Sequence, residues 1–101
     1  MNEISLEPAE TRPWRPEDGA PPQVWLWPQG HAPALLVYTG KRWRWALVTA
    51  RQDWANGRVV YQATITVHGS TTTHLYPWPQ PGLRVCSRGS AEPYRAAHRP
   101  T

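Results

Sequence analysis

Apolar residues in this chain come in short runs separated by turn residues. VWLW (24–27) is closed by Pro28-Gln29-Gly30, and ALLVY (34–38) by Thr39-Gly40. RWRWALVTARQ (42–52) ends at Trp54-Ala55-Asn56-Gly57, and VVYQATITV (59–67) at His68-Gly69-Ser70. HLY (74–76) and GLRV (82–85) flank PWPQP. Short alternating runs at this spacing, punctuated by glycine, predict strands and an all-β domain. With roughly 60 residues available, a small five-stranded barrel is the economical way to bury one face of those strands.

The hairpin at Trp54–Arg58 has two candidate registers. A two-residue turn at Asn56-Gly57 sets Val48 opposite Ile65 and turns Trp45 and Leu47 toward Gln62, Thr64 and Thr66. A three-residue loop, Ala55-Asn56-Gly57 with Gly57 left-handed, slips the pairing by one residue and reverses the faces. Leu47 then opposes Ile65, and Trp43, Trp45, Leu47, Val59, Tyr61, Ala63, Ile65 and Val67 share one side. This second register separates apolar from polar residues better, so Trp43 and Trp45 are expected to be mostly core. The other side then carries Arg42, Arg44, Gln62, Thr64 and Thr66.

Outside these runs the pattern fades. Residues 1–23 mix Pro, Glu and Arg without a period and read as a disordered, acidic, proline-rich arm, within which Trp14 is expected to dock back onto the domain. Residues 86–101 read as a flexible basic tail, leaving 24–85 as the folded body. The twelve prolines rule out long helices through most of the chain. Seven Trp and four Tyr against no Phe mean that a small core is built from few, large side chains. Cys86 is alone, so no internal disulfide forms. The first residues, MNEISLEPAE, have neither a basic start nor an apolar run, and no segment reaches membrane-spanning length, so a cytoplasmic protein is expected. Lys41 is the single lysine among eleven cations, and the Arg, Ala and Pro content suggests a GC-rich bacterial origin.

The order of the pieces resembles the SH3-like small barrels, in particular their Tudor-type branch, over residues 24–85. The resemblance rests on QVWLWP, PALLVYTGK, the long aromatic–Arg–aromatic strand RWRWALV, the hairpin WANGR and the strand VVYQATITV. It implies a module that binds methylated side chains, other peptides or nucleic acid through loop aromatics at one end of the barrel. Where the family's methyl-lysine readers have an acidic–aromatic–Gly turn, this chain has VHGST (67–71), which argues against a methyl-ammonium cage. The available wall residues are Trp25 or Trp27, Trp54, and Tyr76 or Trp78.

Charge narrows the chemistry. The net charge is +4, and it is unevenly spread. Glu3, Glu7, Glu10, Glu17 and Asp18 outnumber Arg12 and Arg15 in the arm, whereas the body sets Lys41, Arg42, Arg44, Arg51, Arg58 and Arg84 against Asp53 alone. The arm could therefore lie over the basic body. One body carboxylate leaves no paired acid and base, and neither a nucleophile elbow nor a phosphate-cradling Gly loop is present, so no enzyme activity is expected. His31, His68, His74 and His98 lack metal-ligand spacing, and neither metal nor cofactor is expected. The candidate binding residues are Lys41, Arg42, Arg44, Arg51, Trp54, Arg58, Tyr76 and Trp78. They point to a protein or peptide partner with an acidic or proline-containing surface. The alternative is DNA or RNA, held by phosphate contacts and aromatic stacking.

Overall fold

A computed structural model describes residues 6–96. It is all-β: β1 (Gln23–Leu26), β2 (Ala34–Thr39), β3 (Arg42–Asp53), β4 (Val59–Val67), β5 (Ser70–Trp78), β6 (Leu83–Ser87) and β7 (Tyr94–Arg95), preceded by one 3₁₀ turn, Pro16–Asp18. All pairings are antiparallel and form one open sheet in the order β5-β4-β3-β1-β7, with β2 between β3 and β6. Seven strands thus stand where five were expected. HLYPW is part of one nine-residue strand with STTT. The described part of the C-terminal tail adds β7, where Ala96 N–H donates to Val24 O at 2.8 Å.

Local chemistry explains the hairpins. β2 and β3 are joined by Gly40 and Lys41, both at positive φ (63° and 66°), and β4 and β5 by His68 and Gly69 (50° and 80°). Left-handed residues at both central positions make the turn whose twist matches paired strands. The β3–β4 connection is the three-residue loop Ala55-Asn56-Gly57. Trp54 N–H donates to Arg58 O at 2.8 Å, and Gly57 is left-handed at φ 86°.

That loop sets the expected register, and it holds from Asp53↔Val59 to Ala50↔Gln62. A bulge at Thr49 then shifts it, so that Val48 meets Ala63 and Leu47 meets Thr64. One extra residue reverses every side chain beyond it. The expectation that Trp43 and Trp45 are core is therefore corrected. Ala46 and Val48 are fully buried, while Trp45 is 58 % exposed and Leu47 37 %. Trp43 is half-buried, edge-on to Tyr38 at 5.3 Å and beneath the Arg84 guanidinium at 4.2 Å.

The core is Leu35, Val37, Ala46, Val48, Ala63, Ile65, Tyr76 and Leu83, with Trp27, Tyr61, Val67 and Trp78 packed at its margin. Each large side chain buried here contributes roughly 1.5–3 kcal/mol. Ala46 and Ala63, both small and fully buried, share this cluster with the large side chain of Tyr76.

The arm, read from sequence as disordered, lies along the body over its described residues. Ala9 exchanges two hydrogen bonds with the Gln80 side chain (2.8 and 3.0 Å), and Thr11 N–H donates to Leu75 O at 2.9 Å. Its carboxylates also act locally. Glu7 accepts from Gly40 N–H at 2.7 Å, Glu10 lies 2.8 Å from His74 Nδ1, and Asp18 is paired with Arg12 at 2.6 Å. Between Thr11 at the β5 edge and Gln23 beside Asp53, the chain must cross β5, β4 and β3. The core fills the inner face, so it crosses the outer one. Val60 and Ala50 are buried there although they lie outside the main core cluster. Trp14 falls within this crossing, its indole N–H shielded and without a partner, as a docked aromatic would be.

Gly82 sits where the arm begins, and a Cβ there would overlap the carbonyl oxygen of Leu6. Gly82→Ala should therefore lift the start of the arm and cost roughly 1–3 kcal/mol, the usual scale of overpacking. Hydrogen exchange should accelerate at the amides of Ala9, Thr11 and Gly40. Unchanged exchange at all three would mean that the arm is not held at this point.

Candidate functional site

The basic residues singled out from the sequence are distributed along β3 and do not converge. Lys41 and Arg42 are exposed at the β2–β3 turn, and Arg44 folds back so that its Nε donates to Thr39 O at 3.2 Å. Arg51, Trp54 and Arg58 sit toward the other end of the strand. Arg51 Nε donates to Asp53 Oδ1 at 2.9 Å, while Asp53 Oδ2 accepts from Trp25 Nε1 at 2.8 Å. Trp54 is anchored through Nε1 to Gln52 Oε1 at 3.0 Å, and the Arg58 guanidinium stands 5.8 Å from its ring centre. Twelve extended residues span roughly 35–40 Å. The two basic groups are therefore separate surfaces.

The two aromatics chosen near PWPQP also part company. Tyr76 is buried, stacked on His74 at 5.4 Å, and its role is in the core. Trp78 reaches the margin. It is edge-on to Tyr61 with ring centres 5.7 Å apart, and together with Trp27 they wall an open cleft of about 830 Å³. Leu35 and Val48 reach it from the core, and Pro33 and Val85 from the flanks.

Register builds this cleft. Val59 pairs with Trp78 and Tyr61 with Tyr76, so Tyr61 and Trp78 stand diagonally across adjacent strands. Trp27 follows the last residue of β1 and turns onto the core margin. The remaining wall is the segment 87–93. Ser90 N–H donates to His31 O at 3.1 Å, and the His31 and Ser90 side chains meet at 2.8 Å. Gly89 permits that approach. It is left-handed at φ 84°, and a Cβ on it would stand 2.6 Å from His31 O.

The cleft joins an aromatic and aliphatic floor to a polar rim of muted charge. Arg51 and Arg88 line it beside Glu92, and Arg51 is already paired with Asp53. Such a site favours apolar or amphipathic ligands over bare anions, because a new anion competes with carboxylates already in place. Among the described residues no group of three or more His, Cys, Asp or Glu could hold a metal ion. His74 is engaged by Glu10 and by Thr72 Oγ1, at 2.7 Å. No helix among them is long and apolar enough to cross a membrane.

Sequence reasoning named Trp27 and Trp78 as wall candidates but assigned Tyr61 wholly to the core and passed over Val85. The available signal was position. Tyr61 is the inward residue of β4 close to the β3–β4 loop, where a core face opens to solvent. Comparison with protein-family models, with curated proteins and with solved structures finds no match for this chain.

Burial, with the carboxylates of Glu10 and Glu7 nearby, pushes the Tyr76 hydroxyl up to about 12 from its ordinary 10.0. A raised value means that the unfolded chain loses this proton first as pH rises. The stabilising contribution is thus complete below about pH 10 and lost as pH climbs through about 12. Spectroscopic titration should show one of the four tyrosines ionising only at the upper end of that window, and Tyr76→Phe should remove that late step. A late step that survives in Tyr76→Phe would show that another tyrosine is the protected one.

Proposed function

We propose that this chain is a non-enzymatic binding module that holds an extended, proline-containing peptide segment of a partner protein. The observation that carries the reading is the cleft between Trp27, Tyr61 and Trp78, floored by the core and bounded by the segment 87–93. Aromatic-walled grooves suit proline-rich segments, since a polyproline II strand is pre-extended and loses little freedom on docking. Trp78 and Trp27 are the anchors, and Arg88 at the rim accepts an occasional carboxylate on the ligand.

An SH3-like, Tudor-type architecture is part of this proposal. The meander β2-β3-β4-β5 with a long, bulged central strand supports it. A soluble cytoplasmic protein of bacterial origin is the setting the composition suggests. The nucleic-acid reading receives less support. Its cations stand at the two ends of β3, and Arg51 is already paired with Asp53.

Titration with a short proline–leucine repeat peptide, followed through the indole N–H signals of Trp27 and Trp78, tests the proposal. Both signals should shift, and Trp78→Ala should weaken binding about tenfold or more, as loss of a central aromatic anchor does. A single-stranded oligonucleotide serves as comparison. If it binds with affinity falling steeply with salt while the peptide leaves both indoles unmoved, the nucleic-acid reading takes its place.

A further inference from the structure

A second feature lies away from the cleft. β3 and β4 part company beyond Leu47↔Thr64, and Arg42–Ala46 form register pairs with β2 but none with β4. The two-residue turn at Gly40-Lys41 makes Thr39↔Arg42 a hydrogen-bonded pair. By alternation Arg42, Arg44 and Ala46 bond to β2, and Trp43 and Trp45 direct their N–H and C=O groups toward the diverging β4. Leu47 has the same phase and does meet Thr64. Backbone capacity at 43 and 45 is therefore left on an open edge.

The shape of the surface agrees. A groove of about 500 Å³ is lined by Arg42 and Arg44, by Trp43, Trp45 and Leu47, and by Thr64 and Thr66 of β4. Neighbouring residues of a strand point to opposite faces. The groove touches residues of both sets, as one running along the strand's edge does. One wall is cationic, the other is the exposed Trp45 and Leu47, and no carboxylate lines it.

We infer that the open edge of β3 at Arg42–Leu47 is a strand-addition site for an acidic, amphipathic extended peptide. The peptide pairs its backbone with Trp43 and Trp45. It sets carboxylates against Arg42 and Arg44, and apolar side chains against Trp45 and Leu47. Backbone pairing supplies a sequence-tolerant grip, and the two walls choose which side chains may alternate. A second copy of this chain is the poorer occupant, because edge-to-edge pairing would bring two sets of arginines together without a counter-charge.

The test uses the intact protein and three capped probe peptides: an alternating Glu-Val peptide, its Lys-Val counterpart, and the Glu-Val peptide N-methylated along one edge. The Glu-Val peptide should slow hydrogen exchange at the Trp43 and Trp45 amides and leave the indoles of Trp27 and Trp78 unshifted. The Lys-Val and N-methylated peptides should bind at least tenfold more weakly, and Arg42→Glu should abolish the preference for Glu over Lys. Equal binding of the N-methylated peptide would overturn strand addition. Equal binding of Glu-Val and Lys-Val would overturn the charge assignment. Protection of Trp45 in the protein alone, rising with concentration alongside dimer formation in sedimentation, would give the edge to a second copy and end the proposal. Because the readout is at β3 amides, these results are independent of whether the cleft binds proline peptides.

Discussion

The bulge at Thr49 governs this fold. β3 serves two partners along one edge, β2 over Arg42–Leu47 and β1 over Arg51–Asp53. A regular strand could not bend between them and also keep small inward residues where Tyr76 needs space. The extra residue supplies the bend, and Thr49 Oγ1 ties it to Gln62 O at 3.1 Å. Everything N-terminal to it changes face. Alanine and valine go in, tryptophan and leucine go out, and pairing with β4 stops shortly afterwards.

The arm ties the β2–β3 turn to β5, through Glu7 at Gly40, Ala9 at Gln80, Glu10 at His74 and Thr11 at Leu75. A chain of this size has little core to spare. Adding a segment by hydrogen bonds shields aromatic surface without demanding further apolar residues.

Much of the architecture was legible in the sequence. Turn chemistry located the boundaries of β2, β3 and β4 but not the start of β5. The three-residue loop was chosen because it separates apolar from polar residues, a criterion that holds only as far as Ala50↔Gln62. The bulge was not legible. A pattern such as RWRWALVTARQ satisfies alternation in either phase, and the choice depends on the volume facing it across the core. Likewise the arm's Pro, Glu and Arg carry no period, since their contacts are single hydrogen bonds to particular backbone groups and not a buried stripe. The candidate site was half legible. Trp27 and Trp78 were visible as aromatics near turns, but their convergence with Tyr61 depends on long-range register.

Both proposed surfaces are shaped by one displacement. If the register had continued unbroken past Thr49, Trp45 would have faced the interior and β4 would have covered the edge of β3. Neither the cationic groove nor its tryptophan wall would then exist. At the other end the unshifted register, Asp53↔Val59 and Arg51↔Tyr61, keeps Tyr61 inward and aligned with Trp78. The unshifted half builds the aromatic cleft, and the shifted half opens the strand edge. The distribution of charge follows the same division. Asp53 answers Arg51 beside the cleft, whereas Arg42 and Arg44 face a groove without a carboxylate. On that asymmetry rest the two proposals, acidic peptides for the edge and proline-containing ones for the cleft.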